Sequence, residues 1–223
     1  MSIKENLNHI KSSLPENVTL VAVSKTKPDA AILEAYEAGQ RIFGENKIQE
    51  MTTKWENLPK DIQWHMIGHV QRNKVKYMAP FVNLIHGIDS FRLLKEVDKQ
   101  AQKHDRVIDC LLQIHIAREE SKFGFDEAEL MALLSGKEIK DLKHIRIVGL
   151  MGMATFTENK QTIIEEFTGL KVLFDRIAET YSDERIQMNT LSMGMSGDYK
   201  IAVAHGSNMV RIGSSIFGDR IYN

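Results

Sequence analysis

A lysine stands at the end of a short apolar run, Leu20-Val21-Ala22-Val23-Ser24-Lys25. If that run is a buried strand, the lysine at its mouth is partly desolvated. Desolvation disfavours the ammonium form, and a neutral amine attacks aldehydes. The plainer alternative is a strand-end lysine that simply reaches solvent. A second cluster lies in Met209-Val210-Arg211-Ile212-Gly213-Ser214-Ser215. Its Gly-Ser-Ser turn offers backbone N–H groups and hydroxyls to an anion, and a helix starting there would add its dipole. Arg211 precedes that turn on the same strand, and its guanidinium keeps its proton in practice. An ordinary surface turn is the alternative. Between these clusters, Ser192-Met193-Gly194-Met195-Ser196-Gly197 brings small residues and hydroxyls that let a ligand approach the backbone, a weak signal by itself.

Other chemistries find little support. The eight histidines show no H-E-x-x-H or comparable ligand spacing, so no metal is expected. His65 follows Trp64 inside a strand pattern and reads as packing, whereas His69, just past Gly68, could line a mouth, with an ordinary structural role as the favoured alternative. The one cysteine, Cys110, can form neither an internal disulfide nor a cysteine metal site, and in its apolar run it reads as a small buried hydrophobe. With 29 basic against 30 acidic residues and a net charge of -1, the chain lacks the basic excess of a sequence-independent nucleic-acid binder. Met1 to Lys11 is polar and charged, unlike a secretory signal. No window approaches the ~20 apolar residues of a membrane span. The expectation is a cytoplasmic protein with neither nucleic acid nor membrane as partner.

Positioning those residues requires a scaffold, and the chain alternates strand and helix patterns. Eight strands are expected: Val18 to Val23, Arg41 to Phe43, Ile62 to Ile67, Val82 to Ile88, Val107 to Ile116, Ile145 to Met151, Asn189 to Ser192, and Val210 to Ile212. Pro28 opens a helical stretch that Gly39 closes, with Ile32, Leu33 and Tyr36 on one face. Phe91 to Gln102 is another, capped by Ser90, with Leu93, Leu94, Val97 and Ala101 on one face. Ile163 to Tyr181 is a third. Strands alternating with helices indicate a parallel sheet, and eight is the number that closes a TIM-type (β/α)8 barrel. The alternative, an open doubly wound sheet, would favour a glycine-rich loop after the first strand. Here Ser24-Lys25-Thr26-Lys27-Pro28 follows instead. One barrel domain over residues 1–223 is therefore expected, with function at the C-terminal strand ends. Lys25, Asn46, His69 and Arg211 all fall there, as do the glycine-serine segments.

Taken together, these blocks resemble the pyridoxal phosphate homeostasis proteins, single-domain relatives of the alanine racemase N-terminal barrel. The marks are Val21-Ala22-Val23-Ser24-Lys25, Phe43-Gly44-Glu45-Asn46 with Gln49-Glu50, Trp64-His65-Met66-Ile67-Gly68 with Gln71 and Asn73-Lys74, Gly149-Leu150-Met151, Leu191 to Asp198, and Val210-Arg211-Ile212-Gly213 with Ile216-Phe217-Gly218. The resemblance implies the PLP fold type III barrel. It also implies pyridoxal 5′-phosphate (PLP) held as a Schiff base on Lys25, with Arg211 facing the pyridine nitrogen and keeping it unprotonated. It places Ser192, Gly213 and Ser214 at the phosphate, Met193, Gly194, Met195 and Ser196 along its border, and Asn46 near the ring. Lys122 matches a lysine that touches PLP transiently in some relatives. Two residues depart from the usual pattern, Met66 in place of Phe and Phe156 where proline is common; each could alter the pocket wall.

The resemblance further implies intracellular vitamin B6 homeostasis and amino-acid/keto-acid balance without robust catalysis, a monomer, and PLP-requiring enzymes as partners. A PLP-dependent amino-acid racemase is the alternative. Racemisation needs an acid/base on each face of the substrate adduct, and in racemases one comes from a tyrosine of a second domain of the partner subunit. The chain as read ends at Asn223 after the eighth strand, which favours the carrier. An arginine at the ring nitrogen also weakens the electron sink. A Schiff-base aldolase would use Lys25 but has no need of the Arg211-Gly213-Ser214 cluster.

Overall fold

Short β-branched runs separated by amphipathic stretches close here into a ring. The computed structural model describes residues 2–117, 123–181 and 183–218. Its strands are β1 (Thr19–Val23), β2 (Ile42–Glu45), β3 (Gln63–Met66), β4 (Leu84–Ile88), β5 (Ile108–Gln113), β6 (Ile145–Met151), β7 (Ile186–Met195) and β8 (Met209–Ile212). All neighbours pair parallel in chain order, and β1 pairs with β8 through Val21 and Arg211, so the barrel is closed. That closure decides against the open sheet.

Helices α1 (Ile3–Ser13), α2 (Asp29–Glu37), α3 (Ile48–Asn57), α4 (Val75–Met78), α5 (Phe91–Gln102), α6 (Glu127–Ser135), α7 (Lys160–Thr180), α8 (Tyr199–Ala204) and α9 (Ser214–Phe217) fill the connections and the N-terminus. The strand period of two sorts side chains into two layers. Inside the barrel, Val21, Leu84, Leu111, Val148, Met151 and Met209 form one cluster. The larger core lies between strands and helices and includes Phe43, Trp64 and Met66. Among the described residues, no helix is long and apolar enough to cross a membrane.

Helix α5 has the expected bounds. Its Ser90 Oγ accepts from Leu93 N at 3.3 Å, and Leu93, Leu94, Val97 and Ala101 are buried. The polar, charged N-terminus forms an amphipathic helix, with Ser2 and Glu5 forming a capping box and Leu7 and Ile10 buried. Three expectations need correction. The fifth strand is shorter than Val107 to Ile116, running from Ile108 to Gln113. In α2 the buried face is Ile32 with Ala35, while Leu33 is exposed; alanine fills the close approach to the barrel. Strand β7 begins three residues early and continues to Met195, which turns Met193 into the core.

Strand β6 carries a bulge around Val148: the pairings jump from Ile147 to Gly149 against both β5 and β7. Gly149 has φ +155°, and a Cβ there would sit 1.7 Å from the Thr190 carbonyl oxygen, so this position requires glycine.

Candidate functional site

At the C-terminal strand ends a cavity of about 560 Å³ opens, within the size range of small-molecule sites. Strand parity explains who reaches it. Val21 and Val23 face inward, so Lys25 follows them into the cavity, while Ser24 faces outward toward the helices. Asn46 enters from the end of β2, and Arg211, Gly213 and Ser214 from β8 and the turn after it. Met195, Ser196 and Gly197 form the adjoining wall. Seven of the expected site residues thus share one cavity: Lys25, Asn46, Met195, Ser196, Arg211, Gly213 and Ser214.

The other three sit behind that wall. Ser192 is buried, with its hydroxyl bonded to Arg211 and His86. Met193 packs in the outer core. Gly194 has φ +98° and lies so close to α8 that a Cβ would come within 2.6 Å of the Ala202 methyl. Lys122 falls outside the described residues. His69 does line the mouth, hydrogen-bonded through Nδ1 to Asp89 at 3.1 Å. Of the two departures, Phe156 is on the cavity rim and 98% exposed, whereas Met66 lies wholly in the outer core and does not touch the wall. Cys110 is buried, as expected.

The glycine-serine end of the cavity is built by close approach. Gly213 brings the end of β8 against β1, where a Cβ would meet the Val23 carbonyl at 3.1 Å. Gly213 N donates to Ser196 Oγ at 3.2 Å, tying the two wall segments together. Lys27 Nζ donates to the Phe217 and Gly218 carbonyls at 2.9 and 3.0 Å, fastening the segment after β1 to the same turn. In α9 the N–H groups of Ile216 and Phe217 donate to the Gly213 carbonyl, each at 2.9 Å, so of its first turn only Ser214 and Ser215 have N–H groups that the helix itself does not use.

Gln113 also lines the cavity. It is the last residue of β5, which stops short of the expected Ile116, so the strand-end rule applied to the expected bounds misses it. Two buried polar groups were harder to foresee. One is internal: His65 Nδ1 lies 3.1 Å from His86 Nε2, and His86 Nδ1 lies 3.1 Å from Ser192 Oγ. The other lies under the Lys25 segment. Lys54 Nζ donates to Ser24 O at 2.8 Å, Glu45 Oε1 at 2.8 Å and Glu50 Oε1 at 2.6 Å, while Ser24 Oγ donates to Glu45 Oε1 at 2.6 Å.

Burial sets the protonation of these groups. It holds His65 down at about 3 and His86 well below the ordinary histidine value. It pushes Glu45 up to about 7, against the pull of Lys54 and Ser24. The two effects have opposite signs for folding. As pH falls below 6.5 the unfolded chain takes up protons that the folded histidines refuse, so stability is lost toward pH 3. Glu45 is protonated in the fold but ionised in the unfolded chain between 4.5 and about 7, so its contribution is lost as pH rises through 7. Each proton is worth about 1.4 kcal/mol per pH unit. Stability should therefore fall gently from pH 7 to pH 5, where one carboxyl offsets one of two histidines, and at about 2–3 kcal/mol per unit below pH 4.5. Urea midpoints measured across this range check it; a uniformly steep fall from pH 7 would mean that Glu45 is ionised in the fold.

Comparisons with known proteins agree with this architecture. The family described as alanine racemase, N-terminal domain, matches residues 1–221. A pyridoxal phosphate homeostasis protein of Vibrio alginolyticus is 37% identical, over all of this chain and 99% of that protein. PipY of Synechococcus elongatus PCC7942, in a structure with PLP bound, superposes with a TM-score of 0.87 at 35% identity, covering 97% of this chain and all of that one. Alanine racemase of Clostridium difficile 630, at 15% identity and TM-score 0.79 over 61% of its length, shares the fold. The chain belongs to the pyridoxal phosphate homeostasis protein family, built on the alanine racemase N-terminal barrel.

Proposed function

We propose that this protein is a single-domain PLP carrier that holds the cofactor as a Schiff base on Lys25 and serves intracellular PLP homeostasis and amino-acid/keto-acid balance without robust catalysis. The observation that carries the reading is the shared cavity: an inward lysine, a buried arginine and a glycine-serine turn on one wall. The lining fits the group. Asn46 Oδ1 is a buried acceptor without a partner among the described residues, ready for a ligand donor. Arg211 spends part of its guanidinium on Ser192 and Gly152 and still borders the cavity.

Bound there, PLP supplies an aldehyde that amines capture reversibly. The residues would divide its ends between them. Lys25 takes the aldehyde end. Ser214 offers its backbone N–H and hydroxyl to the phosphate and Ser196 its hydroxyl, while Gly213 and Met195, whose N–H groups are held by Ser196 and Asp198, shape the wall beside it. Arg211, permanently charged, keeps a ring nitrogen beside it unprotonated. That choice weakens the electron sink that amino-acid chemistry needs, which supports carriage over turnover, with PLP-requiring enzymes as recipients.

Adding PLP, recording the visible spectrum, reducing with borohydride and mapping peptides by mass tests the assignment. The expected result is a yellow protein with a pyridoxyl adduct on Lys25. A colourless protein, or an adduct on another lysine such as Lys27, would overturn it.

A further inference from the structure

We infer that Ser192, His86 and His65 form a hydrogen-bond chain of fixed direction that positions Arg211, so that the Ser192 hydroxyl serves the guanidinium and not a ligand phosphate. All four side chains are buried inside the barrel, on β7, β4, β3 and β8. Arg211 Nη1 donates to Ser192 O at 2.9 Å and to Ser192 Oγ at 2.6 Å, and Nη2 donates to Gly152 O at 3.0 Å.

The direction follows from what each group can do. A guanidinium has donors and no acceptor, so Ser192 Oγ must accept from Arg211. Its own proton then has His86 Nδ1, at 3.1 Å, as its partner. His86 therefore accepts at Nδ1 and carries its proton on Nε2, which donates to His65 Nδ1 at 3.1 Å. His65 in turn carries its proton on Nε2. The opposite order would make Ser192 Oγ accept from both neighbours and leave a buried hydroxyl proton unpaired, at a cost of roughly 1–3 kcal/mol. A charged imidazole would set a donor against the proton that Ser192 presents. The chain thus fixes one hydrogen bond of Arg211, which with the two to the Ser192 and Gly152 carbonyls orients the guanidinium at the cavity edge.

For cofactor binding, the inference rests on the function proposed above; the chain itself does not. Its direction is read without cofactor, by long-range ¹H–¹⁵N spectra of protein labelled at histidine, with His65→Gln and His86→Gln for assignment. Both rings should be neutral and protonated on Nε2 at neutral pH, and Ser192→Ala should move the His86 Nδ1 resonance to that of an unbonded nitrogen. A proton on either Nδ1, or a His86 resonance indifferent to Ser192→Ala, would overturn the chain.

Binding then separates the two roles of Ser192. Ser192→Ala should weaken PLP and phosphate-free pyridoxal by the same factor, about tenfold, and Ser192→Thr should restore both. If Ser192→Ala weakens PLP alone, or neither ligand, the positioning role fails. If the wild-type protein takes up no PLP, the proposed function fails, and the tautomer spectra still decide the direction of the chain.

Discussion

Lys25→Ala is expected to give a protein that folds as the parent does and forms no borohydride-reducible adduct with PLP. Lys25 is half-buried at the cavity wall and lies outside both apolar clusters, so its loss leaves the core intact. The wall proposed for the phosphate, around Gly213 and Ser214, and Arg211, proposed to face the ring nitrogen, are untouched. Some PLP should still bind, without the visible band of the lysine adduct and at least tenfold more weakly, about 1.4 kcal/mol. Equilibrium dialysis, the visible spectrum and a thermal melt together check this. A reducible adduct surviving elsewhere in the cavity at the parental level would move the attachment site; Lys27, also on the wall, would be the first position to map.

How far the chain reveals this site depends on sequence distance. Lys25 and Arg211 are legible because each ends an apolar strand, and barrel geometry brings strand ends together however far apart they lie in sequence. The rule misses Gln113, because β5 stops there and not at the expected Ile116. Buried partners are another matter. Ser192 and His86 are 106 residues apart, and only barrel closure brings together a serine expected at the phosphate and a histidine that no motif marks. Helix faces fail where volume matters more than hydrophobicity, as with Ala35 buried and Leu33 exposed. Glu50 and Lys54 read as an ordinary i,i+4 surface pair, yet Lys54 is 4% exposed. Nothing local shows that Glu45, one strand away, draws that ammonium into the interior.

That buried pairing sets up the second large effect. Lys54→Met should destabilise the fold by about 3 kcal/mol or more at pH 8, the usual scale for removing one partner of a buried ion pair. Among the described residues it strips the one cation hydrogen-bonded to Glu45, whose Oε2 has no partner there, and it removes the Lys54 donor from the Ser24 carbonyl. The penalty should shrink at pH 6. There Glu45, whose value already sits at about 7, is mostly neutral, and the missing ammonium costs less. The consequence reaches the cavity through the backbone. Ser24 is held by Lys54, and Thr26, at φ +64°, donates its N–H to Glu50 Oε1 at 2.6 Å. Lys25 lies between these two anchors, so the charged layer outside the barrel sets the direction of the amine inside it. Lys54→Met should accordingly slow and weaken PLP attachment at Lys25 even under conditions where the variant is fully folded. Urea unfolding at pH 6 and pH 8, with borohydride trapping of the folded variant, reads both effects. An equal penalty at the two pH values would show that Glu45 carries no extra charge at pH 8. Parental trapping in the folded variant would show that Ser24 and Thr26 hold Lys25 without help from the helix beneath.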